Sequence, residues 1–243
     1  MNKVRCVIIG GVAACLLSLV AATGSMGAAS QVAAGTQPAS QPRGPQRWES
    51  AIAAFEAYDR KNTPPKDAVL FVGSSSIVNW PTAASFKDWT VLNRGFGGST
   101  FAELNAFVAR IVTPYRPRAI IVYSGDNDAA AGKSAREIGD DFTEFTRLVR
   151  KDLPDTPIFV LSIKPSPSRW KLWPTMKEAN ALIEGICKTG RRLHYVDVAA
   201  PLLGSGGEPR AEFYLEDKLH LSPAGYEIWT SRVAAVVGDG IKR

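Results

Sequence analysis

The sequence predicts an α/β domain in three layers, an α/β/α sandwich with about five parallel strands covered by helices on both faces. Short apolar runs of strand length alternate with segments of helical periodicity along most of the chain. The runs are apolar throughout rather than at every second residue, as strands buried from both sides are. Polar and glycine-rich stretches follow the runs, where loops at the carboxyl edge of a parallel sheet would fall.

Taken in order, Trp48, Ile52 and Phe55 have helical spacing, and Ala68–Gly73 (AVLFVG) is a buried strand ending in glycine. Trp89–Gly95 is a second strand. Thr100-Phe-Ala-Glu103 is a capping box, and Leu104, Phe107, Val108 and Ile111 follow on one helical face. Arg118–Gly125 is the third strand. Ser134-Ala-Arg-Glu137 opens another helix, with Ile138, Phe142, Phe145 and Leu148 inward. Pro157–Ile163 is the fourth strand. Pro174 starts a helix with Met176, Ala179, Leu182, Ile183 and Ile186 on its apolar face, closed by Gly190. His194–Val198 is a fifth strand, and Ser222-Pro223 caps a last helix with Tyr226, Trp229 and Val233 inward.

The amino-terminal region differs in kind. Lys3 and Arg5 precede an apolar run, Val7 to Ala22, and then small residues, the pattern of a secretory signal peptide over 1–28. Residues 29–46 are rich in Gln, Pro and small side chains with no core to bury, and read as a disordered linker. The globular part then covers 47–243, and the expected location is secreted or periplasmic, with no membrane span after cleavage.

Of 29 basic residues, Lys3, Arg5, Arg43 and Arg47 precede Glu49, and none of the 23 acids does. The remainder carries 25 basic against 23 acidic residues, which gives no case for a nucleic-acid partner. Cys187 is the only cysteine after the signal segment, on the apolar face of a helix, so disulfides do not staple the domain. No cluster of His, Cys and carboxylates has metal spacing, and neither metal nor cofactor is expected.

FVGSSSIVNW ends a strand in three serines, Ser74, Ser75 and Ser76. They could form a turn, cradle a phosphate or supply a nucleophile. A serine nucleophile needs a base, and the base needs an orienting partner. The chain has two histidines. His194 opens a strand and reads as structural. His220 lies three residues after Asp217 in DKLHL, and in a helix-like turn the carboxylate would reach its Nδ1. Acyl transfer also needs donors for an oxyanion. NRGFGGST offers Gly95, Gly97 and Gly98, and SGDND offers Asn127.

GSSSI, NRGFGGS, GDND and DKLHL occur in that order, and as a set they resemble the SGNH hydrolases, the GDSL-type esterase and lipase superfamily, from about Ala68 to Val237. The resemblance implies a flavodoxin-like sandwich and a carboxylic esterase. Placing Gly73 and Trp80 on the family's first block implies Ser75 as the nucleophile, with Ser76 capping the next helix. It also implies Ser75, Gly98 and Asn127 as the oxyanion hole and Asp217 and His220 as the rest of a triad. Ser74 stands where the family usually has Asp; that Asp is not the base, so the chemistry is expected to survive. The expected substrate is a small-molecule, glycan or lipid ester: short-chain acyl, acetylated glycan or lysophospholipid-type. Lys164 and Arg169, in the loop SIKPSPSRW, are candidate substrate contacts. Two other functions fit the fold: FMN binding through the hydroxyl-rich loop, and a non-catalytic envelope- or carbohydrate-binding domain.

Overall fold

The computed structural model describes residues 44–240. The expected signal peptide (1–28) and the linker before Gly44 lie outside the described residues. The last three expected linker residues, Gly44, Pro45 and Gln46, instead open a 3-10 helix (Gly44–Trp48) that runs into α1 (Glu49–Lys61).

Five strands follow where the apolar runs predict them: β1 (Val69–Gly73), β2 (Val91–Gly95), β3 (Ala119–Tyr123), β4 (Ile158–Leu161) and β5 (Leu193–Val196). All pair in parallel, in the order β2-β1-β3-β4-β5. Alternate strand residues feed two separate cores. Leu70, Val72, Ile120, Val122, Ile158 and Val160 pack with residues of α4 (Phe101–Ile111), α6 (Ala135–Asp152) and α7 (Trp173–Thr189). Phe71, Ile121, Tyr123, Phe159 and Leu161 pack instead on Trp229, Val233 and Val237 of α8 (Pro223–Gly240). The same second core takes Ile77 of α2 (Ser75–Val78), and Trp80 and Phe86, which flank α3 (Thr82–Ser85). These are the three expected layers.

Both capping boxes form: the Thr100 and Ser134 hydroxyls accept from the Glu103 and Glu137 N–H groups, and each glutamate returns the bond. A cap of this kind contributes about 1 kcal/mol. The α7 face needs one correction. Leu182, expected inward, is 39% exposed. Asn180 is buried instead, because the chain leaving β4 has free backbone groups: Asn180 Oδ1 accepts from Ile163 N at 2.7 Å and its Nδ2 donates to Ile163 O at 2.9 Å. A buried backbone pair needs such a partner more than the core needs another leucine.

Candidate active site

In this strand order the chain turns one way from β1 to β2 and the other way to β3, so the crevice of an open α/β sheet opens between β1 and β3. Ser75 follows β1. Gly73 leaves the strand with φ +134°, and a Cβ there would lie 1.8 Å from Tyr123 O, so only glycine lets the chain press against β3. Ser74 N donates to Tyr123 O at 3.1 Å, which places Ser75 as the first residue of α2, half-buried at the sheet edge. Ser74 and Ser76 are buried, and neither hydroxyl has a partner. Ser76 therefore does not cap the helix: it is the second residue of α2, and Ser74 holds the cap position without a side-chain bond. The turn points one hydroxyl of three outward.

His220 reaches Ser75 from the far end of the sequence. The Tyr214↔Leu221 bridge pins the loop that carries it, and Leu215 N donates to His220 O at 2.8 Å. The turn is not helical as expected: Lys218 has φ +56°, and Asp217 Oδ1 accepts from Leu219 N and His220 N, each at 2.9 Å. Asp217 Oδ2 lies 2.5 Å from His220 Nδ1, and His220 Nε2 lies 3.0 Å from Ser75 Oγ. The hydrogen bond to the imidazole, with the two backbone N–H groups, draws the Asp217 carboxyl down to about 2.

Gly98 sits at φ +77° in the turn between β2 and α4. Its carbonyl accepts from Arg47 Nη2 at 3.2 Å, and Arg47 is held in turn by Glu103 at 2.6 and 2.9 Å. The Ser75 and Gly98 N–H groups meet no acceptor among the described residues. Asn127 lies on the one-turn helix α5 (Asp126–Ala130) after β3. Its Nδ2 donates one hydrogen to Ser99 O at 3.0 Å, leaving the other, and its Oδ1 accepts from Arg169 Nη2 at 3.0 Å. Asp128 anchors the same turn by accepting from Phe101 N at the start of α4.

Of the two candidate substrate contacts, Lys164 is buried and Arg169 half-buried beside Asn127, and both meet Asp126. Lys164 is 1% exposed, and its ammonium bonds Asp126 Oδ2 at 3.2 Å and the Tyr123 hydroxyl at 3.3 Å. Arg169 Nη1 pairs with the same Asp126 oxygen at 3.0 Å. Burial pushes the Asp126 carboxyl up, but the two cations outweigh it and hold it below the usual range. Pro165 O accepts from the Tyr214 hydroxyl, and Ser168 N donates to Lys218 O at 3.0 Å, so the post-β4 loop also braces the turn carrying His220.

His194 stacks on Phe159 at 4.6 Å, a structural place as expected. Among the described residues no three His, Cys, Asp or Glu side chains are grouped to hold a metal ion. No helix among them is long and apolar enough to cross a membrane. A mainly apolar groove of about 620 Å³ runs between Pro81 and α8, and Leu215 and Leu221, which flank His220, line it. Arg47 was not a sequence candidate, since nothing local marks a linker-edge arginine as the partner of Gly98.

A hydroxyl, an imidazole and a carboxylate in series, beside unpaired N–H donors at the edge of a parallel sheet, define an ester hydrolase of the α/β/α class. The chain belongs to the GDSL-like lipase/acylhydrolase family, whose model matches residues 65–228, and it is a carboxylic ester hydrolase. No protein of curated function matches the sequence. Among solved structures, it is similar to a Streptococcus pneumonia protein provisionally assigned as a platelet activating factor (21% identity, TM-score 0.71, 79% of this chain and 93% of that one). It is similar to a GDSL-like lipase of Bacteroides thetaiotaomicron (17% identity, TM-score 0.66, 77% of this chain and 97% of that one). It also resembles an acetyl-xylooligosaccharide esterase of Geobacillus Stearmophilus (15% identity, TM-score 0.59, 72% of this chain and 97% of that one). At these identities the likeness is one of fold.

Proposed function

We propose that the chain is an exported serine esterase that cleaves carboxylic esters through an acyl-enzyme on Ser75. The observation that carries this is the relay of 3.0 Å from Ser75 Oγ to His220 Nε2 and 2.5 Å from Nδ1 to Asp217. Asp217 keeps the proton on Nδ1, so Nε2 accepts the Ser75 proton as Oγ attacks the ester carbonyl. The Ser75 and Gly98 N–H groups and the free Asn127 amide hydrogen receive the oxyanion. His220 then returns the proton to the leaving alkoxide, and water enters by the reverse route to free Ser75.

The candidate substrates are short-chain acyl, acetylated-glycan and lysophospholipid-type esters. The groove lined by Leu215 and Leu221 offers apolar surface to an acyl chain, although neither Ser75 nor His220 lines it. FMN binding loses its support, because a phosphate cradle needs exposed hydroxyls and Ser74 and Ser76 are buried. Export rests on the charged and apolar pattern of residues 1–28.

The test is a panel of p-nitrophenyl esters graded by chain length, with acetylated sugars and lysophospholipids. Ser75→Ala is expected to abolish hydrolysis, and Ser74→Ala and Ser76→Ala to retain most of it. Full activity in Ser75→Ala overturns the assignment. No fluorophosphonate labelling of the wild-type serine, together with no turnover on the panel, favours the non-catalytic binding reading.

A further inference from the structure

We propose that Arg169 is a positioning residue, whose guanidinium holds the Asn127 carboxamide with its free N–H aimed at the oxyanion. The inference rests on the esterase reading above and adds a part to it. An asparagine amide turns easily about its last torsion, and a donor that must be oriented before charge develops needs more than one restraint. The bond from Nδ2 to Ser99 O at 3.0 Å is one restraint and by itself leaves a pivot. The bond from Arg169 Nη2 to Oδ1 at 3.0 Å is the second, and it fixes the amide plane.

Arg169 is itself held. Its Nη1 lies 3.0 Å from Asp126 Oδ2, the same oxygen that Lys164 Nζ reaches at 3.2 Å. Asp126 is the residue before Asn127, so the ion pair holds the guanidinium beside the turn that carries the amide, by charge rather than by a hydrogen bond from Nη1. The charge count is informative. Lys164 and Asp126 would already form a neutral buried pair, with side chains 1% and 4% exposed. Arg169, whose side chain is 19% exposed, leaves the cluster with one excess positive charge, against the carbonyl end of the proposed oxyanion donor. A cation on Oδ1 draws electron density from the amide and strengthens the N–H at its other end. The excess charge would be balanced when the ester oxygen becomes an anion. Ionic pairing alone does not call for this bond to Asn127, since Asp126 already supplies the counter-charge.

Arg169→Met and Arg169→Lys, each in wild-type and Asn127→Ala backgrounds, test the proposal. Removing the donor itself should cost on the order of 10²–10³ in kcat. Arg169→Met is expected to cost roughly 10- to 100-fold in kcat with KM unchanged, and less than about threefold once Asn127 is gone, because the two act as a unit. Arg169→Lys, which keeps the charge without the two-armed fork, should recover part of the loss. Equal costs in both backgrounds overturn the proposal. So does a raised KM at unchanged kcat, which would make Arg169 a substrate contact. A readout without turnover separates this inference from the reading beneath it: the side-chain amide resonances of Asn127 in a ¹⁵N–¹H spectrum, assigned by their loss in Asn127→Ala. They should shift and exchange faster in Arg169→Met. If they do while no ester is cleaved, positioning stands and the esterase reading falls; if they stay unmoved, positioning falls.

Discussion

Asp217 divides its two oxygens between tasks that a single substitution can separate. Oδ1 takes the Leu219 and His220 N–H groups and so shapes the turn, while Oδ2 faces His220 Nδ1. Asparagine can keep the first arrangement with its own Oδ1, but its NH₂ would then face the imidazole. That forces the proton onto Nε2, where it blocks acceptance from Ser75. Asp217→Asn is therefore expected to lower kcat by about 10³–10⁴-fold with little change in melting temperature. A loss below tenfold would show that the carboxylate does not set the tautomer. The sign of its pH dependence also follows. The carboxyl is drawn down to about 2, so its contribution to stability is fully present above the ordinary carboxylate range, near 4. The Asp217 side chain is 48% exposed, so the contribution is small. It fades as pH falls toward 2, and the slight melting-temperature difference from Asp217→Asn at neutral pH should close over that window in an acid melting series.

At the scale of elements, the site is the meeting of four loops, and the sequence made them legible to different degrees. Position marks the loops that hold the candidates, since each block sits where a strand or the last helix meets its loop, and the resemblance of the four blocks to the family picks Ser75 from three serines and Gly98 from three glycines. The turn type at Asp217 was not legible, since an i, i+3 pair is as available to a tight turn with a left-handed residue as to a helix. The roles of Arg47, Lys164 and Arg169 were not legible either, because a charge shows its sign in the sequence but not which distant segment it meets. Arg47 shows what such a contact does: it joins the first 3-10 helix to the Gly98 turn and the α4 cap through Glu103. Its side chain is 44% exposed but that of Glu103 is 8%, and Glu103 keeps its bond from Thr100 N without it, so losing Arg47 costs about 1–2 kcal/mol. Arg47→Ala should lower kcat by up to about fivefold, leave KM unchanged and lower the melting temperature by roughly 2–8 °C. A larger fall in kcat would mean that the turn, not just its carbonyl, depends on the helix.

At the scale of the molecule, the parallel sheet was legible because strands buried on both faces are apolar along their whole length. The two edge strands, β2 and β5, depart from this, and in β2 Arg94 is buried in the layer under α1. Its guanidinium pairs with Asp59 of α1, donates to the Tyr115 hydroxyl at 2.8 Å and lies 5.1 Å from the Phe55 ring centre. Tyr115 in turn donates to Asp59 Oδ2 at 2.6 Å, and burial followed by that bond pushes its phenol up to about 12. This one network fastens α1 to β2 and to the turn before β3. Arg94→Met fills the space but leaves the Asp59 charge with the Tyr115 hydroxyl alone, and breaking a buried pair from one side costs about 3–5 kcal/mol. Asp59 keeps a 16% exposed side chain, so the lower end applies, about 3 kcal/mol. For a domain of this size that is a fall of roughly 6–12 °C in melting temperature. Replacing Asp59 by Leu in the same chain should restore part of it, because the stranded charge is then removed. The network lies on the α1 side of β2, away from the Ser75–His220 contact, so kcat of the folded variant at low temperature should match wild type. A melting temperature within 2 °C of wild type in Arg94→Met would show that α1 is held by its apolar face alone.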